Sequence, residues 1–332
     1  MGSFPGFAAS VLRRLLPAIA TALAPIGPLS AQTPSRDGLL SAVVRVQTAI
    51  EPDGRTVDAL GREREGSGVV IGDDGLVLTI GYLMVEARTA AVGTADGRTI
   101  PASVVGYDHV TGFGLLRALL PLKAQPMALG RSADLKEGEP VLVAGIGGPA
   151  AAAIAAKREF AGSWEYLLDE AIFTAPPHPA WSGAALVNRE GKLVGIGSLA
   201  VGDVGGGRGP GNMFVPIDLL PPILSDLVAN GRAAGPGRPW LGMTVEEVGG
   251  HLLVAHVTPG GPAARAGVEA GATVAGVGGE RPTSLADFYR RVWARGGAGA
   301  VVPLDLSQED EKRRVEITSA NRLDHLRLRS SL

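Results

Sequence analysis

Short apolar or alternating runs, each bounded by Gly, Asp or Pro, recur at 42–50, 67–71, 76–80, 90–94, 102–106, 114–117, 140–145, 172–174, 185–188 and 193–198. Period-two alternation and brief buried runs of this kind predict β-strands in antiparallel barrels or sandwiches. Asp73, Asp74 and Gly75, and then Arg189, Glu190 and Gly191, have the chemistry of hairpin turns, in which glycine supplies left-handed backbone. Two stretches interrupt the pattern: 147–157, rich in Ala and Gly, and 201–211, which holds Gly205, Gly206, Gly207 and Gly209. Both read as mobile loops. A Gly/Pro/Ala/Arg linker at 231–239 marks a domain boundary. A helix is expected over 284–295, where Ser284 and Asp287 form a cap-like start. Leu285, Phe288 and Val292 share one of its faces, a stripe that suits either a domain core or a groove wall.

Composition adds compartment and exclusions. A chain of 332 residues is long enough for two or three domains. Its 31 basic and 33 acidic residues argue against a nucleic-acid or anionic-membrane footprint. Residues 1–31 read as a signal peptide: Arg13 and Arg14 precede an apolar run over 15–29 broken by Pro17, Pro25 and Pro28, with a small-residue cleavage site at Leu29, Ser30 and Ala31. The run is shorter and more proline-broken than a spanning helix of about 20 residues needs, an uncleaved membrane anchor being the alternative. With no cysteine, disulfides, thiolate chemistry, cysteine-ligated metal and a lipid anchor on an N-terminal cysteine are excluded. No metal or organic cofactor is called for, and export to a bacterial periplasm as a secreted protein is the simplest expectation.

The segments 66–71 and 74–79 resemble the N-terminal barrel hairpin of the HtrA/Deg serine proteases, and 180–188 resembles their nucleophile loop, Gly-Asn-Ser-Gly-Gly-x-Leu-Val-Asn. The resemblance covers about 40–225 and implies a mainly β fold, a trypsin-like double β-barrel followed by a PDZ domain. It places the nucleophile at Ser182 and an oxyanion amide at Ala180. Counting from Leu78 and Thr79 puts the catalytic histidine position at Tyr82, and the segment 106–116 puts the aspartate position at Gly112. A serine hydroxyl needs a base to take its proton and a third group to orient that base. Tyrosine, with a pKa of about 10, cannot serve as that base at neutral pH. Trp181, where the family has Asn, implies a remodelled loop or a filled pocket.

Five histidines remain, at 109, 178, 251, 256 and 325. His178, four residues before Ser182, is the candidate for a displaced base, with Asp108 as a conceivable acid. Its plain alternative is a solvated loop residue between Pro177 and Pro179, just as Ser182 could be a small residue in a tight turn.

After the protease-like domain at 40–230, residues 240–317 resemble a PDZ domain of the same family. Trp240, Leu241, Gly242 and Met243 match its carboxylate-binding loop, and 257–268 matches Val-x-Pro-Gly-Ser-Pro-Ala-Ala-x-Ala-Gly-Leu. The family often has Asp where Ala272 stands. Peptide would bind through those loop amides and beside the helix of Leu285, Phe288 and Val292. Residues 318–332 are a basic tail expected to be solvated and fraying, or to offer Arg322, Arg327 and Arg329 to an acidic partner. The functional expectation is a catalytically impaired adaptor, chaperone-like holder or regulator that binds peptides or protein C-termini. The enzyme alternative is a serine endopeptidase using His178 or activated by a partner. Homo-oligomerisation, or pairing with an active protease, is a further expectation, although aromatic N-terminal contacts for trimerisation are not evident.

Overall fold

The structure, a computed structural model, describes residues 1–2, 36–308 and 311–328. The chain divides into two units at Thr33/Pro34, and the described residues from Arg36 onward belong to the second. The expected signal peptide, after its first two residues, and Arg329 of the tail lie outside the described residues. The second unit carries all the named strands and helices, and no described helix is long and apolar enough to cross a membrane.

Twelve strands build two closed barrels. The first uses β1 (Val43–Ile50), β2 (Glu63–Val70), β3 (Leu76–Ile80), β4 (Ala87–Gly93), β5 (Thr99–Tyr107) and β6 (Phe113–Ala118). The second uses β7 (Pro140–Gly145), β8 (Gly148–Gly162), β9 (Tyr166–Ala175), β10 (Ala185–Val187), β11 (Leu193–Val201) and β12 (Gly211–Pro216). Their orders, β1-β2-β3-β6-β5-β4 and β7-β8-β9-β12-β11-β10, are the same topology used twice. Closure pairs every strand on both sides, which removes the open edges a flat sheet would expose.

The hydrophobic pattern explains the wall of each barrel. In β1, Val44 and Val46 point into the core while Arg45 and Gln47 point outward. β3 and β12 are buried along their whole length, and one apolar cluster, including Leu78, Phe113 and Leu115 from the first barrel and Phe173 and Met213 from the second, runs through both.

The stretch 147–157 is not a loop but most of β8, which pairs with β7 from Pro140↔Ala153 to Gly145↔Gly148 and with β9 on its other side. Alanine is a poor strand former, so composition hides this element. Partners on both sides, and burial of Ala152, Ile154 and Ala156, override the local preference. The other glycine-rich stretch does connect β11 to β12, and the Asp203 carboxylate gathers it by accepting the amides of Gly205, Gly207 and Gly209.

The C-terminal module is an antiparallel meander of β13 (Met243–Val248), β14 (His251–Val257), β15 (Thr273–Val277), β16 (Val301–Gln308) and β17 (Glu311–Thr318). Its helix, Leu285–Trp293, starts where the amide of Asp287 donates to the Ser284 hydroxyl. Phe288 and Val292, each 1% exposed, lie in the module's core with Val245, Val254 and Leu304. That corrects their assignment to a groove wall. Leu285 is also mostly buried, but it borders an open cavity of about 450 Å³ with Ser163 and Glu247.

Over its described residues, up to 328, the tail is held in place rather than fraying. Ala320 bridges to Trp240, Asn321 caps the helix Arg322–His325, and the Arg327 amide donates to the buried Glu86 carboxylate of the first barrel. Burial works against ionised Glu86, yet hydrogen bonds from Arg327, Thr56 and Arg55 prevail and hold its pKa below the usual carboxylate range.

Gly183 adopts φ +70, and a Cβ there would lie 1.9 Å from the Ser67 carbonyl oxygen. Gly183→Ala is therefore expected to destabilise by about 2–4 kcal/mol, read as a fall in urea midpoint. Gly206→Ala, at φ +68 but with open space around it, is expected to cost only about 1 kcal/mol.

Candidate functional site

The loop 180–184 between β9 and β10 sits against the first barrel. The Ser67 amide donates to the Ser182 carbonyl (2.8 Å), the Ile146 amide donates to the Ser67 hydroxyl (3.0 Å), and Thr79 Oγ1 donates to the Ser67 carbonyl (2.7 Å). Close approach requires glycine at three neighbouring points. A Cβ at Gly66 would lie 3.0 Å from Ser182 Oγ, one at Gly145 2.5 Å from the Ala180 carbonyl, and one at Gly197 1.9 Å from the Trp181 carbonyl.

Tyr82 reaches this loop from a 3₁₀ turn after β3. Arg64, a buried guanidinium, holds that turn by donating to the carbonyls of Tyr82 (2.7 Å) and Val85 (3.3 Å). Gly81 donates to the Gly112 carbonyl, and a side chain at Gly81 would run into the Tyr107 ring. The Tyr82 hydroxyl lies 2.8 Å from Ser182 Oγ and 2.9 Å from the Ser198 carbonyl oxygen. Because a phenol has one proton and a carbonyl only accepts, both bonds form when Tyr82 donates to Ser198 and Ser182 donates to Tyr82. Burial pushes the Tyr82 pKa up to about 12, with hydrogen bonds from Ser182 and Trp181 only partly offsetting it. A neutral phenol in that state accepts a hydrogen bond from the serine but does not take its proton.

His178 is 5% exposed, which corrects the expectation of a solvated loop residue. Its Nδ1 accepts the Ala180 amide (3.0 Å), so its Nε2–H donates to the Gly148 carbonyl (3.0 Å). Both ring nitrogens are thus engaged away from Ser182 Oγ, and the amide assigned to an oxyanion hole is turned onto an imidazole. At the position assigned to the orienting acid, Gly112 has φ +85. A Cβ there would stand 3.3 Å from the Tyr166 hydroxyl, which itself donates to the Thr111 carbonyl (2.6 Å). Asp108 serves the local turn instead, accepting the amide and hydroxyl of Thr111 (both 2.8 Å).

The second expected site, the loop 241–243, already receives a carboxylate. Glu165, in the turn between β8 and β9 at φ +61, accepts the amides of Leu241 (2.8 Å), Gly242 (2.7 Å) and Met243 (3.2 Å). Trp240 stands beside the loop but packs on His325, with ring centroids 4.7 Å apart. The Val245 amide, on the outer edge of β13, donates to the Ser163 carbonyl (3.0 Å). Tyr289 Oη donates to the Gly162 carbonyl (2.7 Å) and accepts the Glu165 amide (3.2 Å).

Comparison with known proteins bears on the family and the fold. A trypsin-like peptidase domain profile matches residues 66–196. A probable periplasmic serine endoprotease DegP-like of Pseudomonas fluorescens is 28% identical over 77% of this chain and 57% of its own length. The serine protease PepD of Mycobacterium tuberculosis is 30% identical over 86% of this chain and 66% of its own length. The chain belongs to the HtrA/DegP family of trypsin-like proteins. The chain thus spans between half and two thirds of those relatives. In fold, it is similar to a solved structure of the HtrA-type protease AlgW with a decapeptide, at TM-score 0.53 and 23% identity over 85% of this chain and 96% of that one. The C-terminal strands are accordingly PDZ-like.

Sequence reading missed Arg64, Tyr166, Ser198, Tyr289 and Glu165 in this HtrA-family chain. A glutamate in a turn gives no local sign that its carboxylate reaches loop amides some seventy-five residues away.

Tyr82→Phe would strip a partner from both the Ser182 hydroxyl and the Ser198 carbonyl. It is expected to cost about 1–3 kcal/mol in chemical unfolding with no gain in ester or peptide hydrolysis.

Glu165 supplies a pH prediction. Burial pushes its pKa up to about 7 from 4.5, against the pull of the Leu241, Met243 and Gly242 amides and of Arg322. Between those values the unfolded chain has lost the proton while the folded chain keeps it, so stability falls as pH rises from about 4.5 to 7. Arg322, Arg238, Tyr289 and His109 share this region, and His109, pushed down to about 4 by burial, contributes the opposite slope. Comparison with Glu165→Gln cancels those neighbours. The stability of wild type relative to this variant is expected to decline from pH 4.5 to 7 in unfolding titrations.

Proposed function

We propose that this HtrA-family protein does not run the serine-protease reaction and works as an exported binding protein that holds peptides or protein C-termini through its PDZ-like module. The observation that carries the reading is the hydrogen-bond chain from Ser182 through Tyr82 to the Ser198 carbonyl. In it the serine proton is held by a phenol that is not a base. The left-handed glycine at 112, the engagement of both His178 nitrogens and the turned Ala180 amide add to that support, because each removes a part the reaction needs. Peptide holding is supported by the loop amides at 241–243, whose present partner is a carboxylate, and by AlgW structures described with a decapeptide and with a tripeptide. Action in the periplasm is supported by the DegP-like relatives named as periplasmic.

The test is labelling of purified protein with a fluorophosphonate, alongside casein digestion, for wild type, Ser182→Ala, His178→Ala and the double variant Tyr82→His/Gly112→Asp. No Ser182-dependent labelling and no casein cleavage are expected from wild type. The double variant is expected to remain inactive, because Tyr166 crowds the restored acid and the Ala180 amide still faces His178. Labelling abolished by both Ser182→Ala and His178→Ala, with casein cleaved by wild type, would overturn the reading and make His178 the base.

A further inference from the structure

The turn between β8 and β9 fits the PDZ-like groove as a bound peptide would. An extended ligand at such a groove uses two kinds of contact: a terminal carboxylate on loop amides, and main-chain pairing along the edge strand beside the helix. The turn supplies both. The Glu165 carboxylate takes the three loop amides, and the Ser163 carbonyl takes the Val245 amide on the free edge of β13. On the helix side, Tyr289 bonds Gly162 and Glu165, and Arg290 pairs with Glu159 (2.6 Å) and Asp169 (2.5 Å) on the two strands leading into the turn. Arg322 adds a bond from the tail to the Trp164 carbonyl (2.9 Å), and Leu167 packs into the core of the module.

From this geometry we infer that Glu165 is an internal ligand of the carboxylate loop, so that a C-terminal carboxylate gains access only by displacing the turn 163–165. Glu165 holds its carboxylate on a backbone in left-handed conformation, a geometry with a cost for a non-glycine residue that the docked contacts offset. A tethered carboxylate competes at high effective concentration, and an external ligand's apparent affinity falls by the fraction of molecules in which the loop is free. The inference rests on the peptide-holding reading only for the identity of the competitor. The contact between Glu165 and the loop is a separate matter and is tested separately.

The experiment uses the full chain as wild type, Glu165→Ala and Glu165→Gln, each first checked for cooperative thermal unfolding. Amide hydrogen exchange is followed at Leu241, Gly242 and Met243 without added ligand. Anisotropy is then measured with dansylated pentapeptides ending in Leu, Val or Phe, each as the free acid and as the C-terminal amide. Exchange at the three amides is expected to quicken at least ~10-fold in Glu165→Ala, with Glu165→Gln intermediate, since Gln retains one acceptor oxygen. Free-acid peptides are expected to bind Glu165→Ala at least ~10-fold more tightly than wild type, and the amidated peptides equally weakly to both. Unchanged exchange at the three amides in a folded Glu165→Ala overturns the internal ligand. Equal free-acid affinity for wild type and Glu165→Ala overturns the competition. Faster exchange with no binding of any peptide upholds the internal ligand and overturns the peptide-holding function instead.

Discussion

A phenol carries a single proton, and at Tyr82 both hydrogen bonds are made at once only if that proton goes to Ser198. The Ser198 carbonyl can only accept, so the Ser182 hydroxyl becomes the donor to Tyr82. This reverses what serine catalysis requires at that position, a group able to remove the serine's proton. It also joins the two barrels, because Tyr82 belongs to the first and both of its partners to the second. Each such bond is worth about 1 kcal/mol net, while a buried polar group left unpaired costs more. The site therefore favours keeping all three groups together.

The same logic extends outward from the serine loop. Active sites commonly keep polar groups poised for a substrate rather than for one another, at some expense in stability. Here the groups satisfy each other. His178 spends one nitrogen on the Gly148 carbonyl and the other on the Ala180 amide, and Asp108 spends its carboxylate on Thr111. The glycines that remain are explained by packing: Gly183 and Gly197 admit carbonyl oxygens where a Cβ would collide. A loop kept in shape by such contacts needs no catalytic function to account for its form.

The strands were legible because they alternate and their turns carry glycine, signals that are local, whereas their closure into two barrels was implied by the resemblance to the HtrA/Deg family. The expectation that Tyr82 and Gly112 stand at the base and acid positions came from counting along neighbouring motifs, and it enters the proposed function as a reading rather than as a property of the fold. β8 was hidden because its residues 150–153 are all alanine, and only β7 and β9 on either side make it a strand. His178 was misjudged as solvated because burial depends on what folds over a loop, and its flanking prolines give no information about that. Glu165, Tyr166 and Tyr289 escaped for a related reason. Their partners lie in other elements, and nothing within a few residues of each distinguishes it from an ordinary strand, turn or helix residue.

Glu165 and Tyr166 are neighbours in sequence, and their side chains close different sites. Glu165 fills the carboxylate loop, while the Tyr166 hydroxyl stands where the first atom of a side chain at Gly112 would need room. One hairpin tip thus contacts both the loop 241–243 of the PDZ-like module and the space beside Gly112. An aspartate at 112 would have to share space with Tyr166, and moving Tyr166 would pull on the residue whose carboxylate holds three amides of the C-terminal module. Gly112 and the loop 241–243 are thus linked through the contacts of two adjacent residues in this turn. Glycine at 112 leaves both contacts undisturbed.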